Sequence, residues 1–301
     1  MTLSPIPICF DMETNDPDDV LTLAVLATHP RVDLLSVTVV PGSPEQVGLV
    51  RHVLWTLLGS RDRIPVGARS PGHPKRAVSE FHDHWIGPWK RSDPDGEGCD
   101  VLLDAVSKRP DAVLVTGGPL TNAGRALAAA SARELPFFRS WTCQGGFAGD
   151  SVVPPGLRLP KFSGLETCPT FNLNGDPKAA LALAASPLVA RKSFVSKNVC
   201  HGILWDLAMH LRMTLRRPFH PGLELAYQGM DLYLKKKPDG KALHDPLAAC
   251  CAIDPSVCSW EDVELYREKG EWGTRLLPGS SQRVSVSADR VLFERVLVGI
   301  P

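Results

Sequence analysis

Residues 5–29 read PIPICFDMETNDPDDVLTLAVLATH. PIPICF (5–10) is a short apolar run, which predicts a buried strand. PDDVLTLAVLATH (17–29) carries apolar residues at helical spacing with Pro17 near its start, which predicts a helix. Between them stand five carboxylic acids: Asp11, Glu13, Asp16, Asp18 and Asp19. A continuously apolar strand running through a short loop into a helix predicts a mainly parallel sheet covered on both faces. Crowded carboxylates repel one another and raise each other's pKa values. The loop therefore predicts a positive charge close by.

The alternation continues outward. VDLLSVTVV (32–40) predicts a second strand and EQVGLVRHVLWTLLGS (45–60) a second helix. DAVLVTGG (111–118) predicts a buried strand, followed by the helix NAGRALAAASA. RKSFVSK (191–197) and LELAYQ (223–228) are weaker strand candidates. RVSVSADRVLFERVLVG (283–299) alternates at period two around Ala288-Asp289 and predicts an antiparallel hairpin. No internal repeat or linker interrupts the pattern, so 1–301 reads as a single α/β domain. Two irregular stretches, 70–98 and 147–170, are too long for simple connections, and the first reads as a functional loop. In open parallel sheets ligands bind beyond the carboxyl ends of the strands. The acidic loop and TGGPLTN (116–122) both sit at such ends.

The chain has 301 residues, 44% hydrophobic and 22% charged, with 33 basic and 33 acidic side chains. The balanced charge argues against nucleic acid, which selects a basic excess. No apolar run approaches the ~20 residues of a membrane span. MTLSPIPICF lacks a basic region ahead of an apolar one, so no signal peptide is expected and the location read from the sequence is cytoplasmic. Eight cysteines include no CxxC pair and predict buried, reduced thiols.

Acids in the first turn of a helix favour its dipole, which accounts for Asp18 and Asp19. It does not account for Asp11 and Glu13, which leave the strand before the helix begins. Clustered hard oxygen donors suit calcium or magnesium rather than zinc. Two other stretches bear on the loop. GGPLTN (117–122) taken alone is a glycine-rich turn into a helix. LHDP (243–246), opening the helix DPLAACCAI, taken alone offers Asp245 as an N-cap and His244 as a loop histidine.

Together DMETNDPDD, GPLTN, FNLNGDP (171–177) and HDP (244–246) resemble the nucleoside hydrolase family, the inosine–uridine-preferring ribohydrolases. The family pattern is a first strand ending in D-x-D-x-x-x-D-D, a GPLTN turn, an F-N-x-x-x-D-P segment and a late H-D-P. CQGGF (143–147) resembles the double-glycine turn before the F-N segment, and the likeness runs from about residue 6 to 252. This chain departs from the pattern by one extra residue in the acidic loop, Asp16 by alignment from both ends. Glu13 stands at the second acid, Ser43 at the asparagine after the second strand, and Thr170 at the glutamate before F-N.

The resemblance implies one calcium ion per subunit, held by Glu13, Asp19, Asp245 and the backbone carbonyl of Thr121. Asp11 would support the site or ligate directly, and counts among the catalytic residues. It implies Glu13 as the base that deprotonates a water and His244 as the group that protonates or hydrogen-bonds the leaving base. Asp18, Asn172 and the position of Ser43 would contact the sugar. Rings in the 70–98 loop, His82 and Trp85, are candidates for stacking on the base. The implied substrate is a nucleoside or related riboside, and the implied assembly a homodimer or homotetramer. Two rival readings keep metal binding: a magnesium-dependent phosphohydrolase of the haloacid dehalogenase type, and a non-catalytic, calcium-dependent nucleoside or ribosyl binder. Release of free base separates them from a hydrolase.

Overall fold

The computed structural model describes residues 4–59, 64–70 and 73–300. Ser60 of the predicted second helix, and Pro71 and Gly72 of the 70–98 loop, lie outside the described residues. In chain order the elements are β1 (Ile6–Met12), α1 (Pro17–Thr28), β2 (Val32–Val39), α2 (Pro44–Leu58), β3 (Val66–Ala68), α3 (Glu80–Trp85), β4 (Gly96–Glu97), α4 (Gly98–Lys108), β5 (Val113–Thr116), α5 (Thr121–Arg133) and β6 (Ser140–Gln144). They continue with β7 (Thr167–Cys168), α6 (Phe171–Gly175), α7 (Pro177–Ala185), β8 (Arg191–Val195), α8 (Lys197–Cys200), β9 (Leu204–Trp205), α9 (Leu207–Thr214) and α10 (Pro221–Lys236). The last are β10 (Lys241–Ala242), α11 (His244–Ile253), β11 (Cys258–Glu268), β12 (Glu271–Leu276), β13 (Gln282–Ala288) and α12 (Arg290–Val298).

One sheet orders its strands β4-β3-β2-β1-β5-β6-β8-β13-β11-β12-β7. The first eight pair in parallel, and β11, β12 and β7 continue the sheet antiparallel. Helices cover both faces. Side chains of α1, α2, α10, α11 and α12 form one core with Phe10 and Val37. Those of α4, α5 and α7 form the other with Leu114 and Trp141. The result is the predicted single α/β domain with a mainly parallel sheet. All eight cysteines are buried and free of disulfides.

Two local expectations fail. LELAYQ lies inside α10, because His220 caps that helix, Pro221 opens it, and Leu223, Ala226 and Met230 are buried at helical spacing. The hairpin at 283–299 is a strand followed by a helix. The Asp289 carboxylate accepts from the amides of Val291 (2.9 Å) and Leu292 (3.0 Å) and starts α12.

The ends of β1, β5, β6 and β8, which are neighbours in the sheet, point toward the same edge. The acidic loop, the Gly117–Gly118 turn, the Gly145–Gly146 turn and, two residues on, Lys197 follow those four ends in turn.

Candidate active site

Asp11, next to last in β1, is fully buried. Its Oδ1 accepts from Thr38 Oγ1 on β2 (2.6 Å) and from Asn122 Nδ2 in the first turn of α5 (2.8 Å). Asn122 fits there because residue 98 is glycine, where a Cβ would come within 2.3 Å of the Asn122 amide oxygen. Asp11 Oδ2 has no hydrogen-bond partner. Burial pushes the Asp11 carboxyl up to about 7, against the pull of those two donors.

The loop then turns into α1 through a capping box. Asp16 Oδ1 accepts from the Asp18 amide (3.3 Å), and Asp19 Oδ2 accepts from the Asp16 amide (3.0 Å). Asp18 does a different job. Its Oδ2 accepts from the amides of His244 (2.8 Å) and Asp245 (3.2 Å), the first two residues of α11, a placement that also suits the helix dipole. This joins the two ends of the constellation across 226 residues. Asp245 is therefore not the N-cap; its side chain enters the site, with Oδ2 unpartnered. Gly117 makes room for it, since a Cβ there would lie 2.0 Å from Asp245 Oδ2.

These carboxyls bear on one another. Burial raises Glu13 to about 7, with the Asn15 amide (3.0 Å) pulling down and Asp16 and Asp18 pushing up. Asp19 and Asp245 are both raised well above the ordinary carboxylate range by burial; Asp245 presses on Asp19, and Asp18 on Asp245. A buried cation answers two of the loop's other acids, Asp16 and Asp18. Lys241, on the two-residue strand β10 paired with β9, lies 2.9 Å from Asp16 Oδ1 and 3.1 Å from Asp18 Oδ1. Burial opposes its charge, but the two aspartates outweigh burial and raise its pKa.

A cavity of about 410 Å³ opens over these groups and is lined by Glu13, Asp18, Asp19, Asn172, His244 and Asp245 among the expected residues. Asn172 Nδ2 donates to Gln144 Oε1 (2.7 Å) and to the Gln144 carbonyl (3.0 Å). His244 Nδ1 lies 3.1 Å from Cys200 Sγ. Burial, then Lys241, lowers His244 to about 4, so the ring is neutral near pH 7.

Other expected residues stand elsewhere. Ser43 is fully buried as the N-cap of α2, accepting from the Gln46 amide (3.2 Å) and donating to the Arg76 carbonyl (2.6 Å). Trp85 packs against Gly229 and donates to the Leu225 carbonyl (2.9 Å), while Trp89 donates to the Glu45 carbonyl (3.0 Å). Both tryptophans fasten the 70–98 loop to the body. His82 is fully buried in α3. Thr121 opens α5 and its hydroxyl donates to Asp176 (2.9 Å); the cavity is lined instead by Gly117, at the other end of that turn. Asp16, the extra residue of the acidic loop, caps α1 and pairs with Lys241.

The cavity also takes in Asp16, Gln144, Thr170, Lys197 and His201, which the motif reading had not assigned to it. The double role of Asp16 separates two substitutions. Asp16→Ala removes the cap and is expected to cost about 1 kcal/mol. Asp16→Asn keeps the cap and loses a half-exposed ion pair, an expected cost of under ~1 kcal/mol. Urea unfolding of the two variants checks the order.

Among the described residues, no three His, Cys, Asp or Glu side chains are already gathered into a metal-binding group. The donor set still fits a hard cation. Asp11 and Asp245 each hold a buried oxygen without a partner, Asp19 and Glu13 bear on Asp245, and four carboxylates, those of Glu13, Asp18, Asp19 and Asp245, line the cavity beside the backbone of Gly117.

The family model for inosine-uridine preferring nucleoside hydrolases matches residues 8–293. A protein of Aquifex aeolicus (strain VF5), described as uncharacterized, is 29% identical over 276 residues, 89% of this chain and 90% of its own length. Among solved structures, a plant nucleoside hydrolase superposes with a TM-score of 0.69 at 21% identity, covering 98% of this chain and 99% of that one. A purine-preferring ribonucleoside hydrolase from Gardnerella vaginalis gives 0.67 at 20% identity over 98% and 100%. An inosine-uridine preferring nucleoside hydrolase from Bacillus anthracis gives 0.70 at 16% identity over 97% of each chain. At these identities the structural likeness speaks for the fold, and the family match speaks for the chain: from β1 to α12 it belongs to the inosine-uridine preferring nucleoside hydrolases, a family of N-glycosyl hydrolases.

Proposed function

We infer that this protein hydrolyses the N-glycosidic bond of a ribonucleoside or related riboside with the help of a calcium ion. The observation that carries the reading is the pair of buried, unpartnered carboxylate oxygens on Asp11 and Asp245, set among further acids where β1 meets α11. Uncompensated charge of this kind is costly, and a divalent cation removes the cost. Asp19, Asp245 and Glu13 would hold the ion, with Asp11 behind them. A backbone oxygen would come from the GPLTN turn, the Thr121 carbonyl by the family likeness or the Gly117 end that borders the cavity. When bound, such an ion lowers the pKa of a water and orients sugar hydroxyls.

The remaining work falls to side chains. Glu13, ionised, takes a proton from the attacking water. Asn172 is held by Gln144 and presents its remaining polar atoms to the sugar's outer hydroxyls. Bond cleavage builds oxocarbenium-like charge on the ribose, which the surrounding carboxylates stabilise. His244, neutral near pH 7, acts as a hydrogen-bond donor to the departing base rather than as a strong acid. Asp18 is committed to the start of α11 and to Lys241, so its part in sugar binding is secondary to holding His244 and Asp245 in place. Incubating a panel of ribosides with protein and calcium, and scoring free base by chromatography, tests the reading. No base from any riboside would favour the non-catalytic binder, and release of phosphate the phosphohydrolase.

The family likeness extends the reading to a cytoplasmic homodimer or homotetramer. Light scattering that returns only a 32.7 kDa monomer at micromolar concentration would refute the assembly.

Cation binding also has a pH signature. Asp11 and Glu13 titrate near ~4 in an unfolded chain but at about 7 in the metal-free fold. Between these values the fold holds protons that the unfolded chain has lost, so metal-free stability falls as pH rises through that window. Calcium must displace those protons to bind. Its increment in Tm is therefore expected to be larger at about pH 7.5 than at about pH 5.5, and equal increments would count against the site.

A further inference from the structure

The cavity is polarised along the sheet. Its acids gather over the end of β1 and the start of α11. Its opposite wall comes from the two ends of α8, Lys197 and His201, and from Thr170 just ahead of α6. The two walls meet where the His201 ring lies 4.7 Å from the His244 ring, edge to face.

That opposite wall is basic. Lys197 lines the cavity, and its Nζ donates to the Pro169 carbonyl at 2.9 Å. Lys161 Nζ lies 2.6 Å from His201 Nδ1, and His201 also lines the cavity. One ring gathers the two ammonium groups: Lys161 Nζ is 4.9 Å and Lys197 Nζ 6.0 Å from the Phe162 centroid. Among the described residues neither ammonium has a carboxylate partner, whereas Lys241 at the acidic wall has two. An ammonium donating to His201 Nδ1 leaves the ring proton on Nε2, which adds a neutral N–H donor.

The second observation is Thr170. It is 4% exposed, it borders the same cavity, and its Oγ1 has no hydrogen-bond partner. A buried hydroxyl left unsatisfied is costly, so the site is short of one group there. A neutral riboside offers nothing that calls for two ammonium groups and a hydroxyl. A phosphate offers charge and several acceptor oxygens.

We propose that the substrate is a riboside phosphorylated on its sugar, such as a nucleoside 5′-monophosphate, whose phosphate is held by Lys197, Lys161 and the Thr170 hydroxyl. The inference rests on the riboside-hydrolase reading above. The phosphate is assigned to the sugar because Thr170 lies two residues from Asn172, the group read as meeting the sugar's outer hydroxyls. The departing base faces His244.

Calorimetric titration of the calcium-loaded protein with ribose and with ribose 5-phosphate tests the site without turnover. The phosphorylated sugar is expected to bind at least tenfold tighter. Lys197→Gln keeps a donor for the Pro169 carbonyl but removes the charge, and is expected to cut that preference about tenfold. Lys197→Arg should retain most of it. Equal binding of the two sugars, or a preference that Lys197→Gln leaves unchanged, overturns the proposal.

Base release from nucleosides and from their 5′-monophosphates is then compared, with a riboside of a carboxylated base as a third arm. Preferred turnover of the monophosphate supports the assignment. Turnover of nucleosides alone, or preference for the carboxylated base, overturns it and leaves the hydrolase reading standing. Lys197-dependent binding of ribose 5-phosphate with no base released from any substrate keeps the anion site and removes the hydrolase reading.

Discussion

Asp245→Asn is expected to cost this protein its calcium and its base release together. The carboxylate arrives on the first turn of α11, held in place by the Asp18 carboxylate that binds the amides of His244 and Asp245. Its Oδ2 has no partner in the fold, and glycine at 117 is what leaves space beside it. Calcium affinity follows ligand charge, so one charge lost should weaken binding ~100-fold or more. Turnover should fall at least as far at ordinary calcium concentrations. Misfolding is excluded by the opposite sign of a third measurement. Without metal, Asp245 is repelled by Asp18 and Glu13. Removing its charge relieves that repulsion, so metal-free Asp245→Asn should unfold at no lower temperature than the metal-free native protein. Calorimetric calcium titration, a base-release assay and thermal unfolding in chelator check the three expectations. A variant that binds calcium like the native protein would remove Asp245 from the ligand set.

The part of this architecture that was legible in the sequence is the part where a local pattern has one solution. PIPICF followed by acids and an amphipathic run can hardly be other than a strand end and a helix start, and the acids after β1 and the HDP of α11 do converge. The failures come where one pattern has two solutions. RVSVSADRVLFERVLVG alternates well enough for a hairpin, and a single carboxylate at Asp289 turns its second half into a helix. LELAYQ fits both periods and is decided by His220 and Pro221. The site shows the same limit. Nothing near Lys241 announces that it will meet Asp16 and Asp18, because those partners come from the other end of the chain. Trp85 looked free to stack on a base only because its partner carbonyl at Leu225 is 140 residues away. Thr121 spends its hydroxyl on Asp176, 55 residues away, while Gly117 at the other end of the same turn borders the cavity.

Glu13→Gln should separate what Asp245→Asn loses in one step. Glutamine keeps an oxygen where Glu13 stands, and the Asn15 amide that now meets Glu13 Oε2 still finds an acceptor. The variant gives up charge and basicity. If Glu13 is the base, turnover should fall by ~10²–10⁴, the usual worth of a positioned proton acceptor. Calcium affinity should fall much less than in Asp245→Asn. The contrast is the test, because a residue that only ligates would lose both in proportion. Saturating calcium sharpens it: metal occupancy is restored, and the turnover defect should persist. Should calcium instead restore turnover to within a few-fold of native, the proton must go elsewhere. The next acid to examine is then Asp11, whose pKa burial also raises to about 7 and whose Oδ2 is unpartnered. Asp11→Asn would in that case show the persistent defect that Glu13→Gln lacks. The longer side chain at 13 would then act as a ligand reaching over a base set deeper in β1.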